Sequence, residues 1–208
     1  MNLFSQIAVE PTHETIYPGS VLMRGLALER DAELFAALEQ VLEAAPLHHA
    51  TTPTGLPMQV MVSGCGARRP DSHRWSAEPA QRTKPPMPTV LYEFAVECAV
   101  RADFPRFQPD ACHVNRYQAG TKLGLHQDRH ECNLNEPIVS VSLGLECVFQ
   151  LGGVQRTDPI RRILLEHGDV IVWGGPSRLR YHGVLPVKPG SHPLTGPYRY
   201  NMTFRKVN

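Results

Sequence analysis

From about residue 110 the chain breaks into short apolar and β-branched runs: ACHVNRY, IVSVSLG, CVFQLGG, RRILLEHGDVIVWGG, RLRYHGVL and RYNMTFR. Glycines and Pro137, Pro159, Pro176 and Pro186 punctuate them, and no helical period lies between them. Strands this short must bury one face against another layer, so the pattern predicts an antiparallel sandwich or jelly roll.

Two helices are expected ahead of it. Residues 31–44, DAELFAALEQVLEA, put Leu34, Phe35, Leu38, Val41 and Leu42 on one face, with Asp31 available as a cap and Pro46 just beyond the end. A second begins after Pro85, Pro86 and Pro88, where Val90, Leu91, Phe94, Ala95 and Cys98 repeat with the same period. Residues 51–88, rich in Pro and Gly, carry Arg68, Arg69, Arg74, Arg82 and Lys84 against Asp71 and Glu78. They read as a basic flap or a solvated surface connection. The fold class expected is therefore mainly β with flanking helices (α+β). Residues 1–208 form one domain, with 1–88 as an N-terminal extension and lid and 89–208 as helix and jelly-roll core.

A chain of 208 residues with 42% hydrophobic content can bury roughly 70% of its unfolded surface in a single core. The net charge of +1 excludes a polycation, so any nucleic-acid contact must come from a local basic patch. The five cysteines, Cys65, Cys98, Cys112, Cys132 and Cys147, include no C-x-x-C pair and read as free thiols in a reducing compartment. The N-terminal stretch has neither a basic start nor an unbroken apolar run. A soluble, cytoplasmic monomer without membrane association is expected.

His126 and Asp128, two apart in LGLHQDRHE, point to one side of an extended backbone, and His182 in RYHGVL can supply a third ligand from a distant strand. Two histidines and one carboxylate on one face of an octahedron leave three adjacent positions open, the arrangement of non-haem Fe(II) sites. His130 is a local competitor in the same alternation, and an ordinary polar loop is the plain alternative in a chain with 10 histidines. In RYNMTFR, Arg199, Asn201, Thr203 and Arg205 alternate with Tyr200, Met202 and Phe204. Such a polar face suits a solvent-exposed edge; turned inward, its guanidiniums would each need an anion, and a dicarboxylate supplies two. Asn115 and Tyr117 share one face of HVNRYQAG in the same way.

The blocks PDACHVNRYQAGTKLGLHQD, EPIVSVSLGLECVFQLGG, LLEHGDVIVWGGPSRLRYHGV and HPLTGPYRYNMTFR, in this order and spacing, closely resemble the AlkB family over residues 109–205. The resemblance implies a double-stranded β-helix (a cupin-like jelly roll), with Fe(II) on His126, Asp128 and His182 and 2-oxoglutarate chelating that iron. Arg199, helped by Tyr117, would take the distal carboxylate of 2-oxoglutarate, and Asn115, Asn201 and Arg205 the end nearer the metal. With O2, such proteins oxidise N-methyl groups on bases such as 1-methyladenine and 3-methylcytosine, releasing succinate, carbon dioxide and formaldehyde. The implied partner is alkylated DNA, with RNA as the close variant.

In similar proteins the flipped base lies against the first iron-ligand histidine, here His126, under an aromatic residue of the lid. The family's lid tryptophan and tyrosine fall near Pro70 and Ala77 here, which leaves Trp75 to stack on the base or to anchor the lid. His130 stands where the family has an acidic residue that reads the base, and Glu131 follows it. Met58, Thr52, Lys122, Gln127 and Arg156 match positions near the substrate strand. A protein or small-molecule substrate on the same iron site, or a metal-free binding module, are the competing readings.

Overall fold

The computed structural model describes residues 12–51, 55, 57–67, 84–129, 131 and 133–208. Among the described residues twelve strands and two α-helices follow one another as β1 His13–Tyr17, β2 Ser20–Met23, α1 Asp31–Ala44, β3 His48–Thr51, β4 Pro57–Gly66, α2 Thr89–Arg101, β5 Ala111–Tyr117, β6 Leu123–His126, β7 Ile138–Gly144, β8 Cys147–Leu151, β9 Arg161–Leu165, β10 Val170–Trp173, β11 His182–Val184 and β12 Arg199–Arg205. An 8-stranded sheet runs β1-β2-β10-β7-β12-β5-β4-β3, and a 4-stranded sheet runs β6-β11-β8-β9. The strands pair antiparallel in both sheets, as the strand-rich reading expected.

Alternation along the central strands builds two cores. On β10, Val170 and Val172 pack with the helices, and Ile171 and Trp173 face the small sheet. Tyr200, Met202 and Phe204 of β12 join Leu34, Leu38, Leu91 and Phe94 in the helix-side core. The opposite face of β12 therefore turns into the sandwich, not to solvent. Helix α1 follows its expected span, with Leu34, Ala37, Leu38 and Val41 buried and Phe35 and Leu42 partly covered. Asp31 is not its cap: it is the first helical residue, and its Oδ2 lies 2.9 Å from His167 Nε2.

The N-terminal extension departs from expectation. It was expected to be helix and lid, yet β1 to β4 supply four of the eight large-sheet strands. Residues 57–66, read as part of a loop, are β4, paired through Met61 to Gly66 with β5. Gly64 there marks a close approach, not a turn, because a Cβ would collide with the Cys112 carbonyl. No helix among the described residues is long and apolar enough to cross a membrane.

Gly144 closes β7 opposite Arg199 of β12. Its φ is +89°, and a Cβ would overlap the Thr195 hydroxyl and the Tyr198 carbonyl. Gly144→Ala is therefore expected to cost about 1–3 kcal/mol in urea unfolding. An unchanged midpoint would mean that this turn relaxes freely.

Candidate metal and cosubstrate site

His126 closes β6 and His182 opens β11, and the two residues face each other as Cα partners across that strand pair. A cross-strand pair presents its side chains to one face, and the ring centroids are 4.3 Å apart. Asp128 follows two residues after β6 ends. The candidate ligand atoms of His126, Asp128 and His182 all lie within 4.8 Å of one another. His126 Nε2 is 3.7 Å from Asp128 Oδ1, and His182 Nε2 is 3.3 Å from Oδ2.

The second nitrogen of each ring settles the tautomer. His126 Nδ1 lies 2.9 Å from the Gly124 carbonyl and His182 Nδ1 3.0 Å from the Arg180 carbonyl. A carbonyl only accepts, so each Nδ1 carries the proton and each Nε2 lone pair points at the shared centre. Burial, followed by the neighbouring His182, pushes the His126 imidazole below its ordinary range and favours the neutral, ligating form. Burial works to raise the Asp128 carboxyl, but Arg205, His182 and His126 outweigh it and hold it well below the usual range. Two imidazoles that turn Nε2 to one centre and an ionised carboxylate fit a divalent iron with open positions.

Deeper in the cleft, the polar face of β12 meets that of β5: Arg199 is the Cα partner of Tyr117, and Asn201 of Asn115. Arg199 is 1% exposed. Its Nη2 bonds Ser142 Oγ at 3.0 Å, its carbon centre lies 5.9 Å from the Tyr117 ring, and Nε and Nη1 have no hydrogen-bond partner. A buried guanidinium left this open is costly unless an anion completes it, and a carboxylate is the anion such a planar fork accepts. Asn201 Nδ2 donates to Ser140 Oγ at 2.7 Å and to the Val141 carbonyl at 3.1 Å.

Arg205 Nη2 lies 2.7 Å from Asp128 Oδ2, and Nη1 lies 2.7 Å from Glu131 Oε1. Asp128 Oδ2 nonetheless lacks an aligned hydrogen bond, so the contact is an ion pair by distance. The cleft that joins the triad to Arg199 holds about 410 Å³ of open space, mouth included, with Trp173, Phe149 and Leu165 among its apolar walls. The structure thus brings together all eight residues expected for metal and cosubstrate: Asn115, Tyr117, His126, Asp128, His182, Arg199, Asn201 and Arg205 line this one cleft.

The expected substrate residues are placed unevenly. Met58 is half-buried on β4, and its carbonyl accepts from His49 Nδ1 at 2.8 Å. Gln127 spends its amide NH2 on the Leu179 and Val154 carbonyls, at 2.6 and 3.2 Å. Arg156 donates to the Leu125 carbonyl at 2.9 Å and leans over the Tyr181 ring at 5.8 Å. Lys122 and Arg129 are exposed. Thr52, Trp75 and His130, with Arg68, Arg69 and Arg74, lie outside the described residues. The sequence reading named Thr203 on the polar face of β12 but missed the wall residue Ser140 and the Arg199 partner Ser142, although the alternation of IVSVSLG carried the signal. It also missed Arg178 and the buried engagement of Glu131, for which no local pattern exists.

Residues 19–205 match the family model of the 2OG-Fe(II) oxygenase superfamily. The chain is 46% identical to the alpha-ketoglutarate-dependent dioxygenase AlkB of Salmonella typhimurium, over 100% of this chain and 98% of that protein. Against the protein of the same name in Escherichia coli it is 45% identical with the same coverage. The solved structure of OsALKBH1 superposes with a TM-score of 0.80 at 28% identity, covering 94% of this chain and 100% of that one. The jelly-roll core is therefore that of an Fe(II)-, 2-oxoglutarate- and O2-dependent enzyme. With a ligand triad and an open guanidinium in one cleft, and with full-length identity to these dioxygenases, the chain belongs to the AlkB family of the 2OG-Fe(II) oxygenase superfamily.

Proposed function

We propose that this chain is an oxidative dealkylase of nucleic-acid bases that removes N-methyl groups, such as those of 1-methyladenine and 3-methylcytosine, in the repair of alkylation damage. The observation that carries the reading is the meeting of His126, Asp128 and His182 with the open, buried Arg199 in one cleft. Iron and 2-oxoglutarate held in this cleft would let O2 serve as the oxidant, one oxygen atom leaving in succinate as 2-oxoglutarate loses carbon dioxide and the other entering the N-methyl carbon as a hydroxyl. The carbon–nitrogen bond of the resulting hemiaminal then breaks, formaldehyde leaves, and the ring nitrogen is restored.

In this reading His126, Asp128 and His182 hold the iron. Arg199 pairs with the distal carboxylate of 2-oxoglutarate beside Tyr117, while Asn115, Asn201 and Arg205 hold the end nearer the metal. Residues 1–208 act as one catalytic domain, its lid within 1–88. Trp75 covers the flipped base opposite His126, and Met58, Thr52, Lys122, Gln127, His130 and Arg156 lie along the substrate strand. An alkylated base pairs poorly, so extruding it costs less than flipping a sound one. The free thiols Cys65, Cys98, Cys112 and Cys147 suit a cytoplasmic setting, and the protein is taken to act as a monomer.

The departures at Pro70, Ala77 and His130 fall where the family covers and reads the base, so base preference is an object of the test, and methylated RNA is run beside DNA. Purified protein with Fe(II), ascorbate, 2-oxoglutarate and O2 is offered methylated single-stranded DNA, methylated RNA or no acceptor, and succinate and formaldehyde are measured. Formaldehyde that depends on the oligonucleotide supports the proposal. Succinate that neither nucleic acid stimulates would point to a protein or small-molecule substrate, and neither product to a binding module. Trp75→Ala is expected to weaken oligonucleotide binding by about 1–3 kcal/mol in an anisotropy titration. Unchanged affinity would return Trp75 to anchoring the lid.

A further inference from the structure

Behind the triad lies a closed ring of buried charge. The Glu131 side chain is 0% exposed and the Arg178 side chain 3%. Glu131 Oε1 accepts from Arg205 Nη1 at 2.7 Å, and Oε2 accepts from Arg178 Nη2 at 3.1 Å. Arg178 also donates Nη1 to the main-chain carbonyl of Asp128 at 2.5 Å and Nε to the Glu136 carbonyl at 2.9 Å. Arg205 Nη2 closes the ring on the Asp128 carboxylate at 2.7 Å. Asp128 is thus gripped twice, by its main chain through Arg178 and by its side chain through Arg205, and Glu131 ties the two grips together.

Two guanidiniums buried this closely repel each other and lose hydration, and a carboxylate between them offsets both costs. Both Glu131 oxygens are spent in this way, so Glu131 is not free to read a base from the position next to His130. The ring also solves a placement problem. Arg205 must stay beside Asp128 and still present a donor to the cosubstrate, and a long side chain does so only when its other end is fixed.

We infer that Glu131 and Arg178 are positioning residues. Glu131 stations Arg205 between the metal carboxylate and the cosubstrate, and Arg178 fixes the backbone that carries Asp128. Cosubstrate and iron affinity are then set from behind the cleft by residues that touch neither. This rests on the proposed use of Fe(II) and 2-oxoglutarate by this cleft.

The test is an anaerobic titration of the full chain with Fe(II) and then 2-oxoglutarate, read by the charge-transfer absorption of the ferrous chelate. Glu131→Gln is expected to raise the 2-oxoglutarate Kd about tenfold, with oligonucleotide affinity of the iron-free protein unchanged. In an Arg205→Met background the same substitution should add nothing, because its effect runs through Arg205. Glu131→Asp, which keeps the charge one methylene short, should recover part of the loss. Arg178→Lys should weaken iron binding about tenfold and so carries the test if Glu131→Gln does not fold, with thermal melting of the metal-free variants as control.

An unaltered Kd in Glu131→Gln, a loss that persists undiminished without Arg205, or a loss confined to oligonucleotide binding would each overturn the inference. A wild-type protein that forms no ferrous chelate overturns the underlying reading of the cleft, and this inference with it. A wild-type protein that forms it beside an indifferent Glu131→Gln overturns the inference alone.

Discussion

His182→Ala is expected to abolish formaldehyde release, by more than about a thousandfold, with loss of iron binding. The size of the effect follows from position. Removing an outer partner of a metal ligand already costs 10–100-fold, and His182 is itself one of three candidate ligands, 5% exposed and opposite His126 on the facing strand. Its ring sits 5.1 Å from Trp173 and 6.0 Å from Phe149, so alanine leaves a hole against two aromatic rings that supply no ligand atom. Asp128 would keep Arg205 but lose the imidazole 3.3 Å away. His130→Ala is the matched control: it should retain iron and turnover while changing which methylated base is preferred. The decisive measurement pairs iron content with formaldehyde yield for both variants. If His130→Ala loses both and His182→Ala keeps both, the metal site is not the one described.

How much of this was legible beforehand depended on whether the signal was local. The spans 111–117, 138–144 and 199–205 are strands as read: RYNMTFR alternates strictly, and the other two are short apolar and β-branched runs bounded by turn residues. That alternation also placed Arg199, Asn201 and Arg205 on one face. Whether the face pointed inward could be decided only by Tyr200, Met202 and Phe204 packing against the helices.

The N-terminal strands escaped for two separate reasons. β2 has only four residues, too few for a period to stand out. β4 was obscured by Pro57, Gly64 and Gly66, although Gly64 serves strand contact with Cys112 and breaks nothing. The ring of Asp128, Glu131, Arg178 and Arg205 is of another kind. Its members come from a loop after β6, a turn before β11 and the end of β12, and no spacing rule announces a buried ion network closed by tertiary structure. Adjacent residues in an extended segment point opposite ways, an argument that separates Glu131 from His130 in the sequence but could not say what Glu131 would meet.

Arg199 offers the second large effect, and two substitutions separate charge from shape. Arg199→Lys keeps a cation but loses the planar fork whose Nη2 holds Ser142 and whose Nε and Nη1 stand open. A single ammonium cannot make the paired bonds to a carboxylate, so the 2-oxoglutarate Kd should rise about a hundredfold, close to 3 kcal/mol. Turnover at saturating 2-oxoglutarate should fall much less. Arg199→Met fills a similar volume without charge and should eliminate use of 2-oxoglutarate at ordinary concentrations. The same change removes a buried cation with two open guanidinium nitrogens, so the ligand-free variant should melt higher than the wild type, because the charge no longer has to be kept out of water without an anion. Adding 2-oxoglutarate should then raise the melting temperature of the wild type and leave Arg199→Met where it was. Opposite signs for stability and cosubstrate affinity from one substitution are not produced by a general packing defect. If Arg199→Met still shows saturable 2-oxoglutarate stabilisation, the guanidinium is not the carboxylate's partner.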